Sequence, residues 1–497
     1  MKYSSSLRHC AVALLSLSLA TPALAASNSS VKLLSNSFTP APVFENTELV
    51  RNINLEKSYP RETTNIVIRN IGKEAQSEYY FLFPTAEIHN VGTFEARSKV
   101  SADTAKHPFK VELAQYETPS ANSYFILHLN EPLKPSEKIT IGVSYALLSA
   151  VHPLPALIEQ VAAQTIVYPF SAHLPSAYKS QKQKTKLKLP TSSPAEFTKL
   201  EEKNAEGKKD PVHQGSSLTY GPYNAVEPFS TKPVSVRYEF TKPLLVATKF
   251  ERDIEVSHWG GNLAVEERYW LTNRGAKLKN HFSRVQWQMS KYANPASVSA
   301  GSLTLPLLGG AENPYYTDDI GNVSTSNFRP GRRESLLNIR PRYPIYGGWN
   351  YSFKVGWDHS LKGFLRKAGG EKHVLKVPFM EGPRTDAGIA YEQVTVRVVL
   401  PEGSENIKFE AGVPLTSSFI QTHRTFMDTT GRPTLVLTAR NAIEEWRERP
   451  HVVITYDYPW TAAYRKPIVI TAAVFSVFAL TWVIGNLDVR IGKRKQA

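Results

Sequence analysis

A mainly β fold is predicted, with two tandem β-sandwich-like lumenal domains followed by one C-terminal transmembrane helix. Three observations predict it. Short alternating runs rich in β-branched and aromatic residues recur at 64–69, 124–129, 138–145, 234–240, 394–400, 434–438 and 451–456. Turn signals such as Asn70-Ile71-Gly72, Asn273-Arg274-Gly275 and Pro401-Glu402-Gly403 lie between them. Residues 467–487 carry no charge. As a helix that run extends about 30 Å, the thickness of a bilayer core.

The first element is a leader. Lys2, Arg8 and His9 make a positive start, 10–19 is apolar, and Ala23-Leu24-Ala25 is an A-x-A cleavage site. This predicts a secretory signal peptide over 1–25 and a mature chain from Ala26.

Two β domains follow, expected over 26–245 and 246–460. The strand–turn–strand order of 50–83 recurs in 248–287, with Asn70-Ile71-Gly72 answering to Asn273-Arg274-Gly275. Residues 185–190 answer to 396–401, and 232–238 to 449–456. Three correspondences in one order predict a duplication meeting near 242–248; generic strand patterning is the alternative. Helical patterning is confined to 155–163 and 441–447. All eight tryptophans lie at or after Trp259. Trp270, Trp287 and Trp357 are expected in the core. Trp259 and Trp349 leave open a glycan-stacking role.

The span and tail close the chain. Trp460, with Tyr456, Tyr458 and Tyr464, precedes the span where an aromatic belt belongs. Arg490, Lys493, Arg494 and Lys495 follow it, against Arg465 and Lys466 before it. That bias predicts a cytosolic tail, 488–497, and a single-pass type I protein. Lys493 and Lys495 resemble a dilysine signal for retrieval to the endoplasmic reticulum; a plain basic flank is the alternative. Ala472, Ala473, Ser476, Ala479 and Gly485 are small enough for close helix packing.

Composition narrows the chemistry. Cys10 is the only cysteine and lies in the leader. The mature chain is therefore expected to have no disulfide, thiolate metal site or cysteine nucleophile. The net charge of +15 reads as a solvated basic surface or as contact with anionic lipid, a phosphorylated lipid carrier or an acidic partner. Nucleic acid is not expected behind a secretory leader.

Catalytic patterns are missing: no HExxH, G-x-S-x-G or P-loop occurs. No catalytic, metal or cofactor residue is assigned. His258 and His281 read as turn or edge residues. Asp318-Asp319 reads as a turn before it reads as a metal site. Glu266 and Glu267 fall on a strand and point to opposite faces. Lys182, Lys184, Lys186 and Lys188 read as one exposed strand face guarding an edge, or as a partner-binding stripe. N-x-S sequons at Asn28, Asn322 and Asn350 are candidate glycan acceptors.

The words Ser257-His258-Trp259-Gly260-Gly261-Asn262, His281-Phe282-Ser283-Arg284, Tyr315-Tyr316-Thr317-Asp318-Asp319, Arg340-Pro341-Arg342-Tyr343-Pro344-Ile345-Tyr346-Gly347-Gly348-Trp349 and Gly431-Arg432-Pro433 carry a resemblance. They resemble ribophorin I, the single-pass subunit 1 family of the eukaryotic oligosaccharyltransferase. Gly261 is an extra residue in the Trp-Gly-Asn turn, and the tail is shorter than in animal members. The resemblance implies a non-catalytic subunit in the endoplasmic reticulum membrane. Its complex moves a preassembled oligosaccharide from dolichyl diphosphate to Asn of N-x-S/T sequons. The implied partners are a multi-span catalytic subunit, other subunits, nascent polypeptides and the translocon. Arg340, Arg342, Tyr346 and Trp349 are the candidate partner or acceptor-loop residues. The rival readings are a lectin-like or chaperone module retained in the reticulum, and a stand-alone glycosidase or transferase.

Overall fold

The structure, a computed structural model, describes residues 31–99, 108–293, 298–425, 428–449 and 451–487. The expected signal peptide, Asn28, Lys493 and Lys495 lie outside the described residues.

Each half of the chain is built on one long twisted sheet. In the first half the strand order is Val212–Gln214, Ser217–Val226, Ser180–Lys188, Phe44–Asn54, Arg61–Asn70, Lys138–Leu147 and Val91–Ser98. In the second it is Ser417–His423, Arg432–Ile443, Ala390–Val399, Leu245–Ser257, Asn262–Asn273, Asn350–Ser360 and Glu312–Asp318. The two sheets share order, chain sequence and direction. Both have their parallel pairing at the middle, Ser180–Lys188 on Phe44–Asn54 and Ala390–Val399 on Leu245–Ser257. All other pairings in them are antiparallel.

Two shorter sheets cover the inner face in each half. Pro233–Glu239 and Thr165–Ser171 lead one in the first half, as Val452–Asp457 and Lys372–Val377 do in the second. Asn122–Leu133 lies between Lys110–Tyr116 and Gln76–Pro84, as Glu334–Ile339 lies between Ser326–Arg329 and Leu303–Leu308. The second and third sequence correspondences fall on equivalent strands in this scheme, as does the hairpin of the first; the aromatic strand Gln76–Pro84 has no strand counterpart at 284–287.

The repeat extends to single residues. The first hairpin of each half carries a bulge, at Thr47 and at Thr248. Both hydroxyls donate across it, to the carbonyls of Val67 and Trp270 at 3.0 and 3.2 Å. Asn70 and Asn273 end the second strand of each hairpin, fully buried. Each donates Nδ2 to two backbone carbonyls and accepts the amide two residues on, that of Gly72 or Gly275. Seven residues after Phe44 and Leu245 stand Arg51 and Arg252, both buried. Arg51 donates Nε and Nη2 to Glu62 at 2.7 and 2.8 Å. Arg252 donates to Glu267 and, at 2.7 Å, to Glu381.

The halves are joined by the backbone pairing of Leu157–Ile158 with Lys277–Leu278 and by side chains. Trp446, 1% exposed, donates Nε1 to Thr93 Oγ1. Tyr59 donates to Glu445 at 2.7 Å, and Arg61 pairs with Glu445 at 2.9 Å. Asn441 donates Nδ2 to the carbonyls of His89 and Val91. Gly92 lies flat against this contact. A Cβ there would sit 2.3 Å from the Asn441 carbonyl oxygen, so only glycine permits the approach.

Helix Trp460–Asn486 ends the described chain, and it is long and apolar enough to cross a membrane. Large apolar side chains along it, among them Phe475, Phe478, Leu480 and Trp482, are exposed. That surface suits lipid and not water.

Several sequence expectations are corrected. The terminal helix begins at Trp460, two turns before Pro467, because its first residues are held against the second half. Residues 155–163 form no helix; Leu157–Ile158 pairs with Lys277–Leu278 instead. Residues 441–447 finish a strand at Ile443 and make only a 3-10 turn, Glu444–Glu448. Helix Arg284–Ala293 replaces an expected strand and carries Trp287. Trp270 faces outward under the Lys249 ammonium, 4.6 Å from its ring; only Trp357 of the three is in the core. Ser180–Lys188 is a central strand, so its lysines guard no edge.

Candidate functional site at the foot of the second half

The second half narrows to a polar foot where the chain enters the terminal helix. The hairpin of Leu245–Ser257 and Asn262–Asn273 brings Glu255, His258 and Trp259 there. Loop residues Pro401–Glu402 and strand residue Arg432 come from the other side. Together with Tyr458, Ala462 and Lys466 they line a cleft of about 280 Å³.

Dense hydrogen bonding fixes this foot. One Glu402 carboxylate oxygen accepts the amides and hydroxyls of Thr429 and Thr430 at 2.5–2.9 Å. Burial opposes the Glu402 charge, and these donors more than offset it, leaving the carboxyl below the usual range. Asp428 accepts the amide and hydroxyl of Thr425 at 2.8 and 2.7 Å. It also pairs with Lys466 at 2.7 Å, its own side chain fully enclosed. Arg465 donates to Thr430 Oγ1 at 3.0 Å. Gly403, at φ +86°, admits the helix: a Cβ there would lie 2.6 Å from that of Ala462. The helix start is thus a fixed extension of the β fold.

His258 sits beneath the hairpin tip, 2.6 Å from the Tyr456 hydroxyl and beside His373 and Tyr458. Burial, with the neighbouring His373 imidazole, pulls its pKa down to about 4 from 6.5. The folded protein binds fewer protons here than the unfolded chain between these values. This contribution to stability is present above pH 6.5 and is lost as pH falls toward 4. The melting temperature of the full chain should fall over that window, and less steeply in His258→Gln. Parallel curves for the two proteins would refute the assignment.

The stretch from Asp318 to Asn350 is not one loop, since it carries the strands Ser326–Arg329 and Glu334–Ile339, and its turns are held by its own side chains. Arg342 pairs with Asp318 through Nε and Nη2 and donates to the Asn322 carbonyl at 3.2 Å. Asp318 also accepts the amides of Ile320 and Gly321 at 3.0 and 3.1 Å. The Arg342 hydrogen bond, against slight burial, holds the Asp318 carboxyl below the usual range. The Asp318-Asp319 pair is thus a turn. Tyr346 is 1% exposed and packs on Phe282 and Trp349. Trp349 stands edge-on to Phe282, Tyr343 and Tyr346. Of the four candidate loop residues, Arg342, Tyr346 and Trp349 thus shape the loop; Arg340 and Arg342 are both exposed, Arg342 with its guanidinium on Asp318.

Asn322 and Asn350 are both exposed, while Val323 and Tyr351 beside them are buried. Each of Asn322→Gln and Asn350→Gln should remove one glycan's mass on a denaturing gel. Unchanged mobility would exclude that site. Glu267 is buried and Glu266 faces outward to Arg268 and Tyr315, so they form no dyad. Among the described residues no three His, Asp or Glu side chains are grouped to hold a metal.

Sequence reasoning passed over Arg51 and Arg252. The signal was present: Leu49, Arg51 and Ile53 share one strand face, as do Phe250, Arg252 and Ile254.

The sequence profile of the Ribophorin I family matches residues 44–485. The chain belongs to the ribophorin I family. Among relatives, dolichyl-diphosphooligosaccharide–protein glycosyltransferase subunit 1B of Arabidopsis thaliana is 30% identical over 468 residues, 93% of this chain and 97% of that protein. Subunit 1 of Schizosaccharomyces pombe is 29% identical, covering 89% of this chain and 95% of that protein. Subunit 1 of Caenorhabditis elegans is 30% identical, covering 89% and 72%. Among solved structures, an M1 zinc metallopeptidase from Deinococcus radiodurans aligns with a TM-score of 0.25 at 13% identity, over 43% of this chain and 42% of that one. A score that low carries no inference.

Proposed function

We propose that this chain is a membrane-anchored subunit of dolichyl-diphosphooligosaccharide–protein glycosyltransferase, and that it acts in protein N-glycosylation without supplying the catalytic residues. The observation that carries this is the family match along nearly the whole chain, joined to relatives named as subunit 1 of that complex. The transfer in question moves an oligosaccharide from dolichyl diphosphate to Asn of an N-x-S/T sequon.

In this reading the two β units, 26–245 and 246–460, stand in the lumen of the endoplasmic reticulum. The terminal helix crosses its membrane once with the tail in the cytosol. The chain assists complex assembly and handling of the acceptor polypeptide. A multi-span subunit carries the chemistry, and nascent chains and the translocon are neighbours. Arg340 is the loop side chain offered to a partner or acceptor, and Arg342, Tyr346 and Trp349 preform the loop that presents it. The small residues Ala472, Ala473, Ser476, Ala479 and Gly485 give the span a face for helix packing.

Capture of the full chain in mild detergent tests this. Co-purification of a multi-span membrane protein is expected. A lone monomer that binds glycan or unfolded polypeptide would favour the lectin-like or chaperone alternative.

A further inference from the structure

The repeat gives meaning to one exposed side chain. In the first half, the tip of the first hairpin is an interface element. Ser58 donates its amide and hydroxyl to the carbonyls of Ala387 and Gly388, and Tyr59, 1% exposed, reaches Glu445. That tip docks on the next unit of the chain. The equivalent tip in the second half is Ser257-His258-Trp259-Gly260-Gly261-Asn262, and there Trp259 is 79% exposed. The unit that follows the second half is the terminal helix.

We infer that Trp259 is a membrane-interface anchor, seated among lipid headgroups beside the span. Four observations place it there. Trp259 lines one cleft with Ala462, Ala463 and Lys466, in the two turns just before the uncharged stretch. Trp460 and Tyr464, 69% and 58% exposed, stand in those same turns. Residues 460–466 rise only about 9 Å along the helix axis, so the three aromatic side chains share one shallow layer. Arg465 and Lys466 lie in it too, and amphipathic aromatic rings with basic flanks are the composition of a bilayer interface. The tip is also rigid before any contact. His258 is fixed by Tyr456 and Tyr458, Gly260 donates to Ser257 Oγ at 3.1 Å, and the Gly261 carbonyl accepts the Leu361 amide at 2.9 Å. A rigid tip holding a bare indole loses little freedom on binding. With the helix it gives the second half two points of attachment, which set its tilt on the membrane.

This inference rests on the helix crossing the membrane, and the test separates the two. The full chain is prepared on a Cys10→Ser background, which removes its only cysteine. Single variants Trp259→Cys, Phe475→Cys and Ile71→Cys are labelled with an environment-sensitive fluorophore and reconstituted in phosphatidylcholine vesicles. Nitroxide lipids labelled at the headgroup or mid-chain then quench the probes. We expect headgroup nitroxide to quench the probe at 259, mid-chain nitroxide to quench that at 475, and neither to quench that at 71. Quenching at 475 without quenching at 259 overturns the anchor and leaves the span. No quenching at either position overturns both. If the chain with Trp259 intact binds soluble oligosaccharide, Trp259→Ala does not, and headgroup nitroxide does not quench the probe at 259, the tip stacks on sugar and the anchor is wrong.

Discussion

Replacing Arg252 with alanine is expected to destabilise the chain by about 3–5 kcal/mol, the cost of leaving buried carboxylates without their cation. Arg252 is 1% exposed and holds two carboxylates, Glu267 and Glu381, in the core of the second half. Burial opposes its charge, and Glu381 and Glu267 more than offset that. Both carboxylates also serve the backbone. Glu381 accepts the Leu308 amide at 2.9 Å, and Glu267 accepts the amides of Glu381 and Gly382 at 3.2 and 3.4 Å. Removing the guanidinium thus frees the segment that seals the short sheets onto the long one. In the full chain in detergent the melting temperature should fall by roughly 10 °C. Adding Glu267→Gln and Glu381→Gln to Arg252→Met should recover much of the loss, because the uncompensated charges go with it. An Arg252→Ala protein melting with wild type would show that the pair is not enclosed.

Trp446→Ala is expected to cost about 3–5 kcal/mol and to loosen the junction between the halves. The indole fills a site between Phe379 and the strand Val91–Ser98, with its N–H on Thr93. The truncation opens a cavity and leaves the hydroxyl unpaired. The neighbouring bonds of Tyr59, Arg61 and Asn441 cross the same junction, so they should weaken together. Two melting transitions in place of one, with faster proteolysis near residues 240–245, would mark the uncoupling. A single unchanged transition would mean that the halves are held by something other than this contact.

The strands were legible because alternation is a local signal. In Asn262–Asn273 every second side chain is buried, and the sequence shows the same period. The Asn-x-Gly turn was legible for the same reason, since Asn70 and Asn273 satisfy the backbone next to them. What could not be read was set by distant parts of the chain. The strand period puts Arg252 on the buried face with Phe250 and Ile254, but its partner Glu381 comes from 129 positions away and could not be read. Trp270 looks like a core residue by its type, but it stands opposite Lys249, on the outward set of the alternation in its strand. The segment 155–163 has helical spacing and is claimed by Lys277–Leu278. Exposure of Asn322 and Asn350 was legible from the polar stretch they lie in, although Val323 and Tyr351 beside them are buried. The enclosure of Tyr346 depends on Phe282, reached only through the fold. The helix start at Trp460 depends on Asp428 and Thr430 gripping Lys466 and Arg465.

The two halves repeat one β unit and are tied together by side chains and backbone pairing, and Asp428 and Thr430 tie the start of the terminal helix to the second half. In the reading proposed above, such a body positions other molecules at a membrane while another subunit carries the chemistry. The most direct measurement is oligosaccharide transfer from dolichyl diphosphate to an N-x-S/T peptide, followed through purification of the tagged full chain. Transfer activity is expected in the mild-detergent eluate, with its loss when stronger detergent strips the chain to a single species, and none in that species alone. Transfer by the isolated chain, or an eluate holding the intact chain and no activity, would contradict the proposed function.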